Sequence, residues 1–133
     1  MDDLYREVII ERYKSPQYRG ELDPHDISFE DENPLCGDHI RIDLRIDESG
    51  KVTEAAFSGH GCAISQASAD LLLESVIGMN LEAVKRLSKQ DVLDLLGIEL
   101  GPVRLKCALL SLKVLKGGVY GLGEGEASDH LVE

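Results

Sequence analysis

The stretch HIRIDLRID, His39 to Asp47, decides how this chain is read. Ile40, Ile42, Leu44 and Ile46 alternate with His39, Arg41, Asp43 and Arg45, so a period of two puts the aliphatic side chains on one face and the polar ones on the other. That is the pattern of a strand with one buried face. DESGK, Asp47 to Lys51, follows as a turn, and VTEAAFSG, Val52 to Gly59, returns as a second strand. Upstream, ISFED, Ile27 to Asp31, supplies a third, which makes a small antiparallel three-stranded sheet.

The segments around this sheet read as helices. Leu4, Val8 and Ile9, with Arg6, Glu7 and Glu11 between them, suit an N-terminal amphipathic helix that ends before Pro16. After the sheet, AISQASADLLLESVIG places Ile64, Ala67 and Leu71 on one stripe with Leu72 and Val76 beside it, a core helix closing at Gly78. Two shorter helices are expected in LEAVKRLS and QDVLDLLG. From Pro102, a good first helical residue, PVRLKCALLSLKVLKGG presents Leu105, Ala108, Leu109, Leu112 and Leu115 on an apolar face and ends near Gly117. Strands first and helices afterwards is the order of an α+β domain, with the helices packed on the one apolar face of the sheet.

The chain has 133 residues, enough for one domain, so its chemistry must gather around a single core. Fourteen Lys and Arg against 25 Asp and Glu leave a net charge of −11, which argues against nucleic acid or anionic membrane as partners because neutralising phosphate needs clustered cations. The acids concentrate at the two ends, and residues 36–120 are nearly balanced, as a packed middle would be. Residues 121–133, GLGEGEASDHLVE, are expected to be a flexible acidic tail on a single domain spanning 1–133. No run approaches the roughly 20 apolar residues of a membrane span. The start, MDDLYREVII, has acids where an export signal needs cations, so the expected location is cytoplasmic, with the cysteines kept as thiols.

Cys36, Cys62 and Cys107 are too widely spaced for a zinc-finger pattern, and spacing alone would leave them as small buried hydrophobes. Their neighbours argue for chemistry. Cys36 lies in NPLCGD, where Gly37 can take positive φ and let the thiol and the Asp38 carboxylate share one loop. Cys62 lies in GHGCAIS, between a strand end and a helix start, where Gly59 and Gly61 let the backbone approach another group closely and helix amides stabilise an anionic sulfur. Cys107 sits in the first turns of the last helix beside Lys106, with Arg104 three residues earlier. His39 and His60 adjoin these motifs, but a surface or strand-edge role is the simpler reading, and His25 and His130 read as solvated. Ser65 and Ser68 read as helix-start residues rather than nucleophiles, and GHG lacks the lysine of a phosphate loop.

At NPLCGD, GHGCAISQAS and PVRLKCALLSL, together with LYREVIIERYKSPQYRGEL, the sequence resembles the IscU/SufU family of iron–sulfur cluster assembly proteins, related to the N-terminal domain of NifU. The likeness runs colinearly over about residues 4–119. It implies a compact α+β domain with Cys36, Asp38, Cys62 and Cys107 around a metal or cluster site, a cysteine desulfurase as sulfur donor, and apo iron–sulfur proteins as acceptors. Two departures stand out. Lys106 precedes the third Cys where the IscU branch has His, as in SufU, yet the SufU-type insertion between the second and third Cys motifs is missing. LGPVR, Leu100 to Arg104, differs at two positions from the IscU chaperone-docking motif LPPVK, which puts recruitment of an Hsp70-type chaperone in question.

The resemblance implies a scaffold that assembles a transient [2Fe–2S] cluster and passes it on. Three thiolates hold iron or zinc well and a carboxylate holds it less well, which favours holding with release. The alternative is a zinc-dependent sulfur acceptor of the SufU type, in which Zn2+ sits in the resting protein and Cys36, Cys62 or Cys107 takes sulfur from the desulfurase. A closed structural zinc domain ranks last, since 133 residues with this apolar content should fold without metal. Three thiolates and one carboxylate leave a dication or a [2Fe–2S]2+ core with a residual negative charge, and Lys106 is read as its electrostatic support, paired with Asp38 when the site is empty. The bland reading of Lys106 is a solvated residue sharing a stripe with Lys113.

Overall fold

The computed structural model describes residues 2–34 and 37–121. In chain order they form α1 (Asp2–Lys14), β1 (Ile27–Asn33), β2 (Asp38–Ile46), β3 (Val52–His60), α2 (Ala63–Val76), α3 (Leu81–Lys85), α4 (Lys89–Leu96) and α5 (Pro102–Tyr120). The three strands make one antiparallel sheet in the order β1-β2-β3. Ile40, Ile42 and Leu44 are buried on the face covered by α5 and α2, as the alternation in β2 requires. α5 packs on β1 and β2, α2 packs on β3 and α5, and α1 lies against α2. The expected α+β architecture is the one observed.

Several boundaries differ, each for a physical reason. β1 continues to Asn33, two residues beyond the expected end, because Glu32 and Asn33 still pair with His39 and Asp38. α5 runs through Gly117 and Gly118 to Tyr120 and stops at Gly121, whose φ of 72° forms the left-handed cap. Gly117 is therefore a packing residue and not a stop: a Cβ there would lie 2.8 Å from the Phe29 ring. α5 is also buried over most of its circumference, with Leu110, Ser111, Val114 and Lys116 joining the expected face, because the sheet, α2, α3 and α4 all pack against it. Burial pushes the Lys116 ammonium down, and its Nζ donates to the Leu87 carbonyl at 2.7 Å.

Two polar anchors were not evident in the sequence. Residues 18–20 run beside β3, with Phe57 N–H donating to Tyr18 O at 2.9 Å and Gly20 N–H to Phe57 O at 2.8 Å. This crossing covers part of the second face of the sheet and buries Asp43, which accepts from Ser28 Oγ at 2.6 Å, Arg41 Nε at 3.0 Å and Leu22 N–H at 3.1 Å. Burial alone would raise the Asp43 carboxyl, but these donors outweigh it and hold it below the ordinary carboxylate range. At the start of the same crossing, fully buried Asp70 of α2 accepts from Arg12 at 2.9 Å and from Tyr18 N–H at 2.8 Å, tying α1 to the core. No helix among the described residues is long and apolar enough to cross a membrane. Of the expected tail, residues 121–133, Gly121 belongs to the cap of α5, and residues 122–133 lie outside the described residues.

Candidate metal and sulfur site

The site forms at one end of the sheet, where the β1–β2 hairpin, the β3–α2 connection and the second turn of α5 meet. Asn33 and Asp38 are the closing pair of the β1–β2 hairpin, and Gly37, at φ 71°, donates its N–H to Asn33 O at 2.9 Å. Asp38 opens β2 pointing to the helix side and is 1% exposed. At the other strand end, β3 passes into α2 through Gly59, His60, Gly61 and Cys62. Gly59 has φ 123° and lies so close to β2 that a Cβ would fall 2.0 Å from His39 O. Gly61 leaves no room either, since its Cβ would lie 2.5 Å from both Asp38 Oδ1 and Ser65 Oγ.

That close approach lets Cys62 N–H donate to Asp38 Oδ1 at 3.0 Å, with Cys62 Sγ 3.8 Å from Asp38 Oδ2. Cys62 is the N-cap residue of α2 and its side chain is exposed. Cys107, in the second turn of α5, is 3% exposed. One ligand-type atom from each of Asp38, Cys62 and Cys107 lies within 4.8 Å of the others. Around a tetrahedral zinc with bonds of about 2.0–2.3 Å, neighbouring ligand atoms stand somewhat closer than this, so the donor set fits such an ion after a small inward movement. The loop residue Cys36, expected as the remaining thiolate, lies outside the described residues.

The other sequence candidates separate from this group. Lys106 is exposed and makes no ion pair among the described residues, so the expected pairing with Asp38 is absent. Lys113, one of the residues expected on the same stripe, is half-buried and lies 3.8 Å from Asp31 Oδ2. His39 and His60 stand on the opposite face of the sheet from Asp38, and His25 is exposed against Leu22 O. His130 lies outside the described residues. Ser65 is in the first turn of α2, as expected, donating to Cys62 O. Ser68 instead lies deep between α2 and α5, donating to Ala108 O at 2.6 Å and facing Ser111.

Two contributors escaped the sequence reading. Asn33 is buried with its Nδ2 4.0 Å from Cys107 Sγ, and its position just before Pro34 in the turn was the available signal. Arg19 donates to Gly59 O at 2.9 Å and to Gln66 Oε1 at 2.6 Å, spanning the two arms of the Cys62 loop. Gly61, expected from the sequence to allow a close backbone approach, does so, and the structure supplies the group approached, the Asp38 carboxylate.

The structure is a small α+β domain that gathers a carboxylate and two thiols, a group that could hold a metal ion, at one end of its sheet. The sequence profile of the NifU-like N-terminal domain matches residues 4–125. The chain belongs to this family, which contains the IscU and SufU proteins of iron–sulfur cluster assembly. It is 36% identical to the zinc-dependent sulfurtransferase SufU of Bacillus subtilis, over 90% of this chain and 91% of that protein. It is also 36% identical to the iron–sulfur cluster assembly scaffold protein IscU of Thermotoga maritima, over 85% of this chain and 90% of the relative. Among solved structures, a SufU chain from Fervidobacterium islandicum superposes with a TM-score of 0.75 at 26% identity, covering 85% of this chain and 94% of the other.

Proposed function

We propose that this chain is a scaffold on which a [2Fe–2S] cluster is built from iron and desulfurase-derived sulfur and then passed to apo-proteins, with Cys36, Asp38, Cys62 and Cys107 as its ligands. The observation that carries this reading is the convergence of Asp38, Cys62 and Cys107 within 4.8 Å, with Cys62 exposed at the mouth. Cys62 meets an incoming donor or acceptor, Cys107 anchors the centre from the core, and the Asp38 carboxylate supplies one hard, weaker ligand among soft thiolates. Lys106, one residue before Cys107, lowers the residual negative charge of the loaded site from the solvent side. A cysteine desulfurase is the sulfur donor and apo iron–sulfur proteins are the acceptors.

A second reading is a zinc-dependent sulfur acceptor, favoured by Lys106 and by the likeness to a relative named as such. In that role zinc would be held by the same residues, and a thiolate would take the terminal sulfur of a desulfurase persulfide.

The deciding experiment is anaerobic reconstitution with iron, cysteine and a cysteine desulfurase, followed by transfer to an apo-ferredoxin, beside zinc-loaded protein assayed for desulfurase stimulation. A scaffold acquires and transfers a cluster, and Asp38→Cys retains it longer and transfers it more slowly. Failure to acquire a cluster, with zinc-dependent stimulation of the desulfurase, selects the sulfur-acceptor reading.

A further inference from the structure

The face of the sheet turned away from α2 and α5 carries a feature that the thiol site does not use. His39 of β2 stands directly opposite His60 of β3 in the strand register. Their rings stack with centroids 6.0 Å apart and planes inclined by 25°. His39 Nε2 lies 3.1 Å from Glu30 Oε2, and Glu32 is the β1 partner of His39 in the same cross-strand row. The His39 side chain is 33% exposed and that of Glu30 48%, and His60 is exposed, so the group is open to solvent. Neither imidazole contributes to the hydrophobic core.

We propose that His39 and His60, oriented by Glu30, form a second metal site that takes a divalent first-row transition ion. Directly opposed residues on neighbouring strands have Cβ atoms about 4.5–5.5 Å apart, close enough for two imidazoles to reach one ion. In the observed rotamers the rings are stacked, and closing on an ion requires each to turn about its side-chain bonds, a motion exposed side chains make on the picosecond to nanosecond scale.

The Glu30 contact selects the chemistry. A carboxylate only accepts, so the His39 Nε2 facing it carries a proton, and in the neutral ring it is Nδ1 that offers a lone pair to a metal. This is the arrangement in which a ligating histidine donates its other N–H to a carboxylate, which fixes the tautomer and raises its basicity as a ligand. Glu32, opposite His39 in the strand register, and water are the further ligands available to it. Two imidazoles with carboxylate and water suit Zn2+, Ni2+ or Cu2+ rather than Mg2+ or Ca2+. The site lacks sulfur and is exposed, so it exchanges its ion more freely than the thiol cluster. It is connected to that cluster through the backbone, since His39 follows Asp38 and His60 precedes Cys62 by two residues. The proposal stands whichever role the thiol site performs.

The test is a titration with Ni2+ of protein carrying one equivalent of Zn2+, which the thiol site takes first, followed by paramagnetic broadening of the imidazole proton signals and by calorimetry. Saturable broadening centred on His39 and His60 is expected, with no corresponding effect at His25. His60→Gln and His39→Gln, each checked for a folded spectrum, should abolish saturable binding, and Glu30→Gln should weaken it by roughly 10- to 100-fold. The same histidine-dependent binding should appear in a Cys62→Ser chain, which separates this site from the thiol cluster. Binding that survives both histidine substitutions, or that disappears with Cys62→Ser, overturns the proposal, as does broadening that never saturates.

Discussion

Replacing Gly61 with Ala tests whether the geometry of the cluster is as tight as the structure shows. The added Cβ would lie 2.5 Å from Asp38 Oδ1, 2.8 Å from Asp38 Cγ and 2.5 Å from Ser65 Oγ. That leaves it roughly 0.9 Å short of ordinary van der Waals contact. Ser65 can relieve its part by rotating its hydroxyl, although this loosens the bond to Cys62 O. Asp38 cannot move so freely, because it is 1% exposed and accepts the Cys62 N–H at 3.0 Å. Relief therefore comes either from overpacking strain, about 1–3 kcal/mol, or from giving up a hydrogen bond to a charged group, about 1.5–3 kcal/mol. These are alternative outlets for one clash and do not add, so the expected loss is that of the cheaper one, about 1–3 kcal/mol of stability in the metal-free chain. Because relief displaces a ligand carboxylate of the proposed site, zinc affinity should also fall, by about tenfold or more. Urea denaturation measures the first quantity and chelator competition the second. Gly101→Ser is the control: nothing lies within 4 Å of a Cβ at that position, and the change should stay within about 0.5 kcal/mol. If Gly61→Ala matches that control in stability and keeps the parent affinity for zinc, Asp38 is not held against the Cys62 loop and the argument for a preformed site fails.

Arg12→Met should destabilise the domain by about 3 kcal/mol, because it leaves the carboxylate of Asp70, which is fully buried, without its cation, and adding Asp70→Asn should recover most of the loss in urea melts. Asp43, depressed below its ordinary value of 3.8, contributes stability that is complete above the unfolded value and is lost as pH falls through the lower folded one. Acid unfolding below about pH 4 should accordingly be less steep in Asp43→Asn, measured beside Asp47→Asn because Asp47 is depressed as well; equal slopes for Asp43→Asn and the parent would refute the assignment. Gly117→Ala should cost about 1–2 kcal/mol despite its better helix propensity, since its Cβ meets the Phe29 ring at 2.8 Å, and Phe29→Leu in the same chain should return part of it. A stabilised Gly117→Ala variant would show that the contact between α5 and β1 has slack.

By itself the sequence determined the sheet, the helix order and the three cysteine motifs, because these depend on local periodicity and on turn residues that act within a few positions. The alternation from Ile40 to Ile46 specifies a strand wherever it occurs, and Pro102 opens a helix whatever packs against it. What only the tertiary structure decided are the contacts between residues distant along the chain. Gly117 looked like a helix stop, and its role became visible only when Phe29 was placed against it. Asp43 looked like an ordinary outward residue until residues 18–22 crossed the sheet and supplied donors that could keep a buried carboxylate charged. Asp38 and Cys62 were separate candidates in sequence, and the bond between them exists because Gly59 and Gly61 let β3 approach β2 without a Cβ. Lys106 and Asp38, each plausible as the other's partner by charge, remain apart because one faces solvent and the other the core. Local rules set direction and period, whereas burial, and with it the energetic weight of every charge and thiol, depends on which distant segment closes over it.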